Sequence, residues 1–184
     1  PEEDPSAVLY KRCTVDLSHG EINFADVPCR NLEDVLGGFG RSFQDLAERK
    51  ITNAYCDENP LIVNTGLLTG SSAMTGKRTY FSGYSPIKGS RAGLPAAMWS
   101  TGSGKFGAKF KWTGLDELIF ENRSEQPIYV VIRETEAGPQ VELNLPNSCS
   151  AFRPTTRLWL CTRSTRTLIL QSSVRPGRTG RITS

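Results

Sequence analysis

The sequence predicts an α+β fold in which many short strands combine with a few helices around one main core. Short apolar or threonine-rich runs recur along the chain, each ended by glycine, proline or asparagine, and only two segments show helical spacing. The helical segments do not alternate regularly with the strands, which argues against a βαβ architecture. A length of 184 residues also suits a single domain.

The first half of the chain predicts one hairpin and two helices. Residues 9–17 alternate loosely, residues 18–20 supply turn chemistry, and residues 21–24 return as a second strand. Residues 31–36 predict a short helix ended by two glycines, and residues 42–50 predict a second helix because apolar residues recur there at helical spacing.

The remaining predicted elements are strands. The apolar run 61–63 is bounded by Pro60 and a polar turn, which is typical of a buried strand. Residues 78–84 predict a strand that ends at Ser85-Pro86. Two further strands are expected at 115–121 and 128–133, joined by a polar link.

Charge divides the chain unevenly. The net charge is +3, yet residues 1–149 carry 15 basic and 19 acidic groups, and residues 150–184 hold seven arginines with no acidic residue or lysine. Such a basic tail can indicate a nucleic-acid-binding arm. The apolar runs 158–160 and 168–170, and the absence of lysine, make it a poor phosphate-tracking arm, so we do not expect nucleic acid as the partner.

Residue chemistry alone gives no complete catalytic site. The five cysteines are widely spaced and form no CxxC pair, so neither a zinc site nor an iron–sulfur cluster is predicted. The single histidine, His19, lies in the predicted turn at 18–20. The segments around Gly76-Lys77 and Gly104-Lys105 both fail the P-loop pattern, and no nucleophile elbow is present. We therefore assign no catalytic residue and no metal ligand.

Glycine is concentrated in the middle of the chain, with ten glycines between residues 66 and 114. Runs of this kind either line a phosphate or cofactor site or form tight turns between short strands. Composition leaves both interpretations open.

Several ordered motifs resemble the N-terminal domain of the tungsten-containing aldehyde:ferredoxin oxidoreductase family. Residues 57–78 contain the pattern Gly-x-Leu-Thr-Gly-x-x-Ala-x-x-x-x-Arg, which ends at Arg78. Residues 106–116 are similar to the family segment Phe-Gly-x-x-Leu-Lys-Phe-Ala-Gly-x-Asp. Residues 15–22 resemble its opening hairpin, and residues 36–40 its glycine pair. The resemblance runs from about residue 9 to about residue 145.

The resemblance implies a cofactor-base domain. Family members bind tungsten through two pterins, oxidise aldehydes and pass electrons through a [4Fe–4S] cluster to ferredoxin. The family's arginine between cluster and pterin falls on Arg78, and its Asn-Ser-Gly-Gly pterin loop falls on Thr101-Gly102-Ser103-Gly104. We therefore expect Arg78, Thr101, Gly102, Ser103 and Gly104 to bind cofactor. The family's asparagine is replaced by Thr101, and the preceding stretch is a few residues longer than usual.

The resemblance leaves two functional interpretations open. In the first, the chain is the base domain of a tungstopterin oxidoreductase, without cluster ligands or a substrate pocket of its own and inactive alone. In the second, it is a non-catalytic binding or scaffold protein that uses the basic tail for nucleic acid or a protein partner. No segment resembles a signal peptide or a membrane span, so a cytoplasmic location is expected.

Domain boundaries follow from the same comparison. Residues 1–8 are expected to form an N-terminal extension, residues 9–149 the family-like domain, and residues 150–184 an Arg/Thr-rich tail. The tail is interpreted either as a genuine arm or as an out-of-frame version of the family's own sequence. Shifted codons for residues 168–179 can spell Asp-Leu-Ala-Val-Ile-Gly-Pro-Ala-Gly-Glu-Asn, which resembles the start of the family's second repeat.

Overall fold

A computed structural model of the chain describes residues 8–29, 35–72, 76–89, 93–126, 128–145, 159–164 and 167–172, the last two stretches as backbone only. Ten strands and two helices occur in these ranges. In chain order they are β1 (Leu9–Asp16), β2 (Glu21–Pro28), α1 (Phe39–Arg49), β3 (Leu61–Thr65), β4 (Thr79–Gly89), β5 (Pro95–Gly102), α2 (Lys105–Trp112), β6 (Glu117–Glu121), β7 (Ile128–Thr135), β8 (Gly138–Asn144), β9 (Trp159–Ser164) and β10 (Thr167–Ser172).

The strands form two sheets, and the α+β prediction is confirmed. The larger sheet has six strands in the order β2-β1-β6-β3-β4-β5, and the smaller has four in the order β8-β7-β10-β9. Strands β1 and β6 pair in parallel, whereas the other pairs of the larger sheet are antiparallel. The predicted hairpin of β1 and β2 is present in full register.

The main core lies between the two sheets. Buried side chains of β1, β3 and β6 contact buried side chains of β7 and β8, and Phe110 of α2 lies among them. Helix α1 covers the opposite face of the larger sheet, where Leu46 packs on Ile62 and Ile119. Successive strand residues point to opposite faces, so Val63 and Leu118 contribute to the main core while their neighbours face α1.

Two predicted boundaries need correction. The strand expected to end at Ser85-Pro86 continues to Gly89, because a register shift between Ser85 and Gly89 accommodates a proline that cannot donate to the ladder. The helix predicted at 31–36 falls mostly on residues 31–34, outside the described ranges, and residues 35 and 36 are not helical. Within the described part of the chain, neither helix has the length and apolarity needed to cross a bilayer.

Candidate functional site

One end of the six-stranded sheet gathers the residues singled out from the sequence. Strands β3 and β5 end there and β4 and β6 begin there, since Thr79 pairs with both Thr65 and Gly102, and Asn64 pairs with Glu117. We call this the site end of the sheet. Arg78 directly precedes β4, and Ser103 directly follows β5, so both lie at the site end.

The structure brings Arg78 and Thr101 into contact. Arg78 Nη1 donates a hydrogen bond of 3.2 Å to Thr101 Oγ1, and Arg78 is exposed. The register explains the contact, because Tyr80 pairs with Thr101 and residues two apart on a strand share a face. The Thr101 hydroxyl therefore holds this guanidinium beside the end of β5.

The stretch predicted as a loop at 101–104 is shorter than expected. Thr101 and Gly102 are the last residues of β5, and Ser103 and Gly104 alone connect β5 to α2. Gly104 has φ +106°, a conformation that favours glycine, and no heavy atom lies within 4 Å of where its Cβ would be. The link is therefore open to an approaching ligand.

Helix α2 begins at Lys105 with an N-terminus that suits an anion. Gly104 is its N-cap, no side chain caps the first turn, and no acidic residue lies in that turn. The first amides of a helix have no partner within the helix and carry the positive end of its dipole. Together with the Arg78 guanidinium, these amides give the site end the chemistry that binds phosphate groups.

An aromatic cluster adjoins this pair and was missed by the sequence analysis. The rings of Phe39 and Trp99 stack with centroids 5.2 Å apart and 16° between planes. The centroid of the Tyr80 ring lies 5.6 Å from that of Phe39 and 6.3 Å from that of Trp99. Phe39 is 42% and Trp99 49% exposed, so the stack offers a flat apolar surface to solvent. The sequence pattern that could have revealed this cluster is the spacing of two residues between Arg78 and Tyr80 and between Trp99 and Thr101. Recognising that these pairs share one face of the sheet requires the register of β4 against β5.

A buried ionic cluster lies beneath α1 on the same sheet face. Arg12 donates to Asp45 Oδ2 and to Glu117 Oε2, each at 2.6 Å. Glu117 is fully buried, and burial together with the nearby Asp45 carboxylate raises its pKa although Arg12 opposes the shift. Asn64 adds a 2.9 Å hydrogen bond to Ser42 of α1. This cluster fixes α1 against the sheet.

Titratable metal-ligand side chains are scattered among the described residues. No group of three or more His, Cys, Asp or Glu side chains converges within the ranges given above. Cys13 is buried in the main core, where burial raises the pKa of its thiol to about 12 and keeps it protonated. His19 lies in the β1–β2 turn beside Asp16, at the opposite end of the sheet from Arg78.

Comparisons with known proteins identify the family of this chain. The sequence profile described as aldehyde ferredoxin oxidoreductase, N-terminal domain, matches residues 12–175. A tungsten-containing aldehyde ferredoxin oxidoreductase of Pyrococcus furiosus is 32% identical over 122 residues, which is 65% of this chain and 19% of that protein. Its counterpart in Thermococcus kodakarensis is 34% identical over 122 residues, with the same coverage of both chains. This chain thus spans about a fifth of the length of these curated relatives.

A solved structure shares the fold. The active-site complex BamBC of benzoyl coenzyme A reductase, in complex with 1,5-dienoyl-CoA, aligns with a TM-score of 0.61 and 27% identity. The alignment covers 73% of this chain and 20% of that one. Because the family profile covers most of the sequence, the chain belongs to the aldehyde ferredoxin oxidoreductase family of oxidoreductases, through its N-terminal domain.

Proposed function

We propose that this chain is the surface on which a tungsten bis-pterin cofactor rests in an oxidoreductase that oxidises aldehydes and reduces ferredoxin. The curated relatives carry the name tungsten-containing aldehyde ferredoxin oxidoreductase. The observation that carries the proposal is the 3.2 Å contact that sets the exposed Arg78 guanidinium beside Thr101, just before the uncapped start of α2.

The residues present fit the phosphate end of a pterin cofactor. The Arg78 contact with Thr101 uses one N–H of a guanidinium that has five. The N-terminus of α2 adds amide donors, and Gly104 leaves open space in front of them. Arginine remains charged in such a position and matches the geometry of phosphate oxygens.

Each residue has a definable task in this proposal. Arg78 holds the phosphate, Thr101 orients Arg78, and Ser103 and Gly104 let the phosphate approach the α2 amides. The Phe39–Trp99 stack presents a flat surface that supports a planar ring and excludes water from it. When bound, the cofactor supplies the redox chemistry for aldehyde oxidation, while the [4Fe–4S] ligands are expected outside this chain.

Binding of a phosphorylated pterin tests the proposal. A pterin with a phosphate monoester side chain is titrated with the 184-residue chain, and its own fluorescence anisotropy reports binding. We expect R78Q to weaken binding by at least about tenfold, because a charge-assisted hydrogen bond contributes ~1.5–3 kcal/mol. The matched control is R123Q, which removes an exposed arginine after β6, at the other end of the sheet.

Two results would contradict the proposal. One is an unchanged affinity in R78Q. The other is an equal loss in R78Q and R123Q, which would indicate attraction to net charge and not to a site. Nucleic-acid binding by the tail is less favoured, because the β10 backbone pairs with β7 over six residues and is thus part of a sheet.

A further inference from the structure

Arg41, in the first turn of α1, is a buried cation without a carboxylate partner in the described structure. Only 8% of its surface is exposed, and its Nε atom is buried with no hydrogen-bond partner. No carboxylate oxygen of a described residue lies within 4.0 Å of its guanidinium. Asp45, one turn further along α1, is bonded to Arg12 instead. A buried guanidinium normally has an anionic partner, because an unpaired buried charge is costly.

The group next to Arg41 is a hydrogen-bond donor that is also unused. Arg41 Cζ lies 5.9 Å from the centre of the Tyr10 ring. Tyr10 is 1% exposed, and its hydroxyl has no hydrogen-bond partner. Burial raises the pKa of Tyr10 to about 12, so the hydroxyl stays neutral and keeps a proton to donate.

The Tyr10 hydroxyl is directed at the N-terminus of α1. A Cβ placed on Gly37 would collide with this hydroxyl oxygen, and Gly37 directly precedes Gly38, the N-cap of α1. Gly37 and Gly38 have φ values of +94° and +64°, so glycine permits this close turn. The hydroxyl and the helix start therefore lie side by side.

The start of α1 is itself uncapped. No side chain caps it, no acidic residue lies in its first turn, and no described backbone acceptor outside the helix takes the amides of Phe39, Gly40 or Arg41. Arg41 belongs to this first turn, and its guanidinium lies over the Tyr10 ring, whose hydroxyl adjoins Gly37. Free amides, an unpaired guanidinium and an unpaired hydroxyl are three kinds of donor around one place.

We infer that the N-terminus of α1 is an oxyanion site for phosphate, bound by the Arg41 guanidinium, the Tyr10 hydroxyl and the first-turn amides. The site is independent of Arg78, which precedes β4 and uses Thr101 and α2. Lys111 reinforces the local positive charge, since its Nζ lies 5.8 Å from the Tyr10 ring centre, although it is paired with Asp116.

Inorganic phosphate is the probe for this site. Backbone amide resonances of the ¹⁵N-labelled 184-residue chain are followed by NMR at low salt as phosphate is added. We expect saturable shifts at Phe39, Gly40 and Arg41. R41Q should weaken the affinity by at least about tenfold, and Y10F by about threefold, because they remove a charged and a neutral donor respectively.

The matched control is R49Q, which removes the same charge from the last turn of the same helix, where Arg49 pairs with Glu121 at 2.6 Å. R49Q should leave the phosphate affinity of this site unchanged. If R41Q fails to fold, Y10F decides alone, since it keeps the aromatic ring. Absence of saturable shifts at residues 39–41, or equal losses in R41Q and R49Q, would overturn the inference, and neither result bears on the pterin surface at Arg78.

Discussion

At the scale of single residues, Gly107 sets how closely α2 approaches the segment that carries Arg78. A Cβ on Gly107 would lie 2.7 Å from Thr79 Oγ1, 3.0 Å from the Lys77 carbonyl oxygen and 3.2 Å from the Arg78 carbonyl oxygen. Two of these neighbours are backbone atoms, so the helix itself must move to make room. The position of the α2 N-terminus relative to Arg78 thus depends on the lack of a side chain here.

We expect G107A to destabilise the protein although alanine is the better helix former. Overpacking of this kind costs ~1–3 kcal/mol, against a gain in helix propensity of about 1 kcal/mol. The control is G102A, because a Cβ on Gly102 would meet its nearest atom at 3.6 Å, an ordinary contact. Urea unfolding of both variants measures the difference. A G107A protein more stable than the wild type would show that α2 is not packed this closely.

At the scale of elements, strands with a simple apolar pattern were predictable from the sequence. The confirmed cases are the β1–β2 hairpin, α1, β3, β6 and β7, with boundaries a few residues off. In these segments the apolar residues recur at strand or helix spacing, so the type of element can be predicted without a structure. The Gly-rich middle was harder, because β5 has half-exposed Met98 and Trp99, and α2 carries a glycine in its interior.

The candidate site was predictable only in part, for a related reason. Arg78 and residues 101–104 could be named from motifs, and their contact depends on the register of β4 with β5. Phe39, Trp99 and Arg41 come together with this end only through tertiary packing of α1 on the sheet. No local sequence pattern carries that information, since exposed aromatics and buried arginines have no period of their own.

The Arg12–Asp45–Glu117 cluster gives a prediction about how α1 is held. We expect R12M to destabilise the protein by ~3–5 kcal/mol, because it leaves two carboxylates buried without a cation. The pKa of Glu117, already raised by burial, would rise further in the folded state without Arg12. The folded protein would hold a proton that the unfolded chain releases, so stability would be lost as pH rises through that raised pKa.

Chemical denaturation of R12M at several pH values checks both parts of this prediction. The control is R133M, which breaks the half-exposed pair with Glu142 on the smaller sheet and should cost less than ~1 kcal/mol. Two results would show that the cluster does not hold α1. One is a loss of unfolding free energy in R12M no larger than that in R133M. The other is an R12M protein whose stability increases as pH rises above about 5, near the ordinary glutamate pKa.

At the scale of the whole molecule, the fold directs two glycine-capped helix starts to one end of the larger sheet. Gly37 bridges to Gly66 just beyond β3, which places the start of α1 at the site end, and Gly104 follows β5 at the same end. Helix α1 covers one face of the sheet, whereas Phe110 of α2 belongs to the core on the other. The molecule thereby places the first-turn amides of both helices, Arg41 and Arg78 at one end of the sheet, while the His19 turn lies at the other end.

The basic tail is the part of the molecule with two opposed expectations. The backbone of β10 pairs with β7 from Thr167 opposite Arg133 to Ser172 opposite Ile128, and the family profile matches as far as residue 175. The out-of-frame interpretation instead expects a segment that was never selected to pack. Removing residues 150–184 separates these two expectations.

We expect a chain of residues 1–149 to melt at a lower temperature than the 184-residue chain. Removing the tail removes β10, which leaves one edge of β7 unpaired beside the buried Val130, Val131 and Ile132. An uncovered apolar edge strand also promotes association. Calorimetry and sedimentation measure both effects. An unchanged melting temperature, combined with codons for 168–179 that encode Gly-Pro-Ala-Gly-Glu-Asn in the neighbouring frame, would instead establish that the tail is an out-of-frame product that adds nothing to the fold.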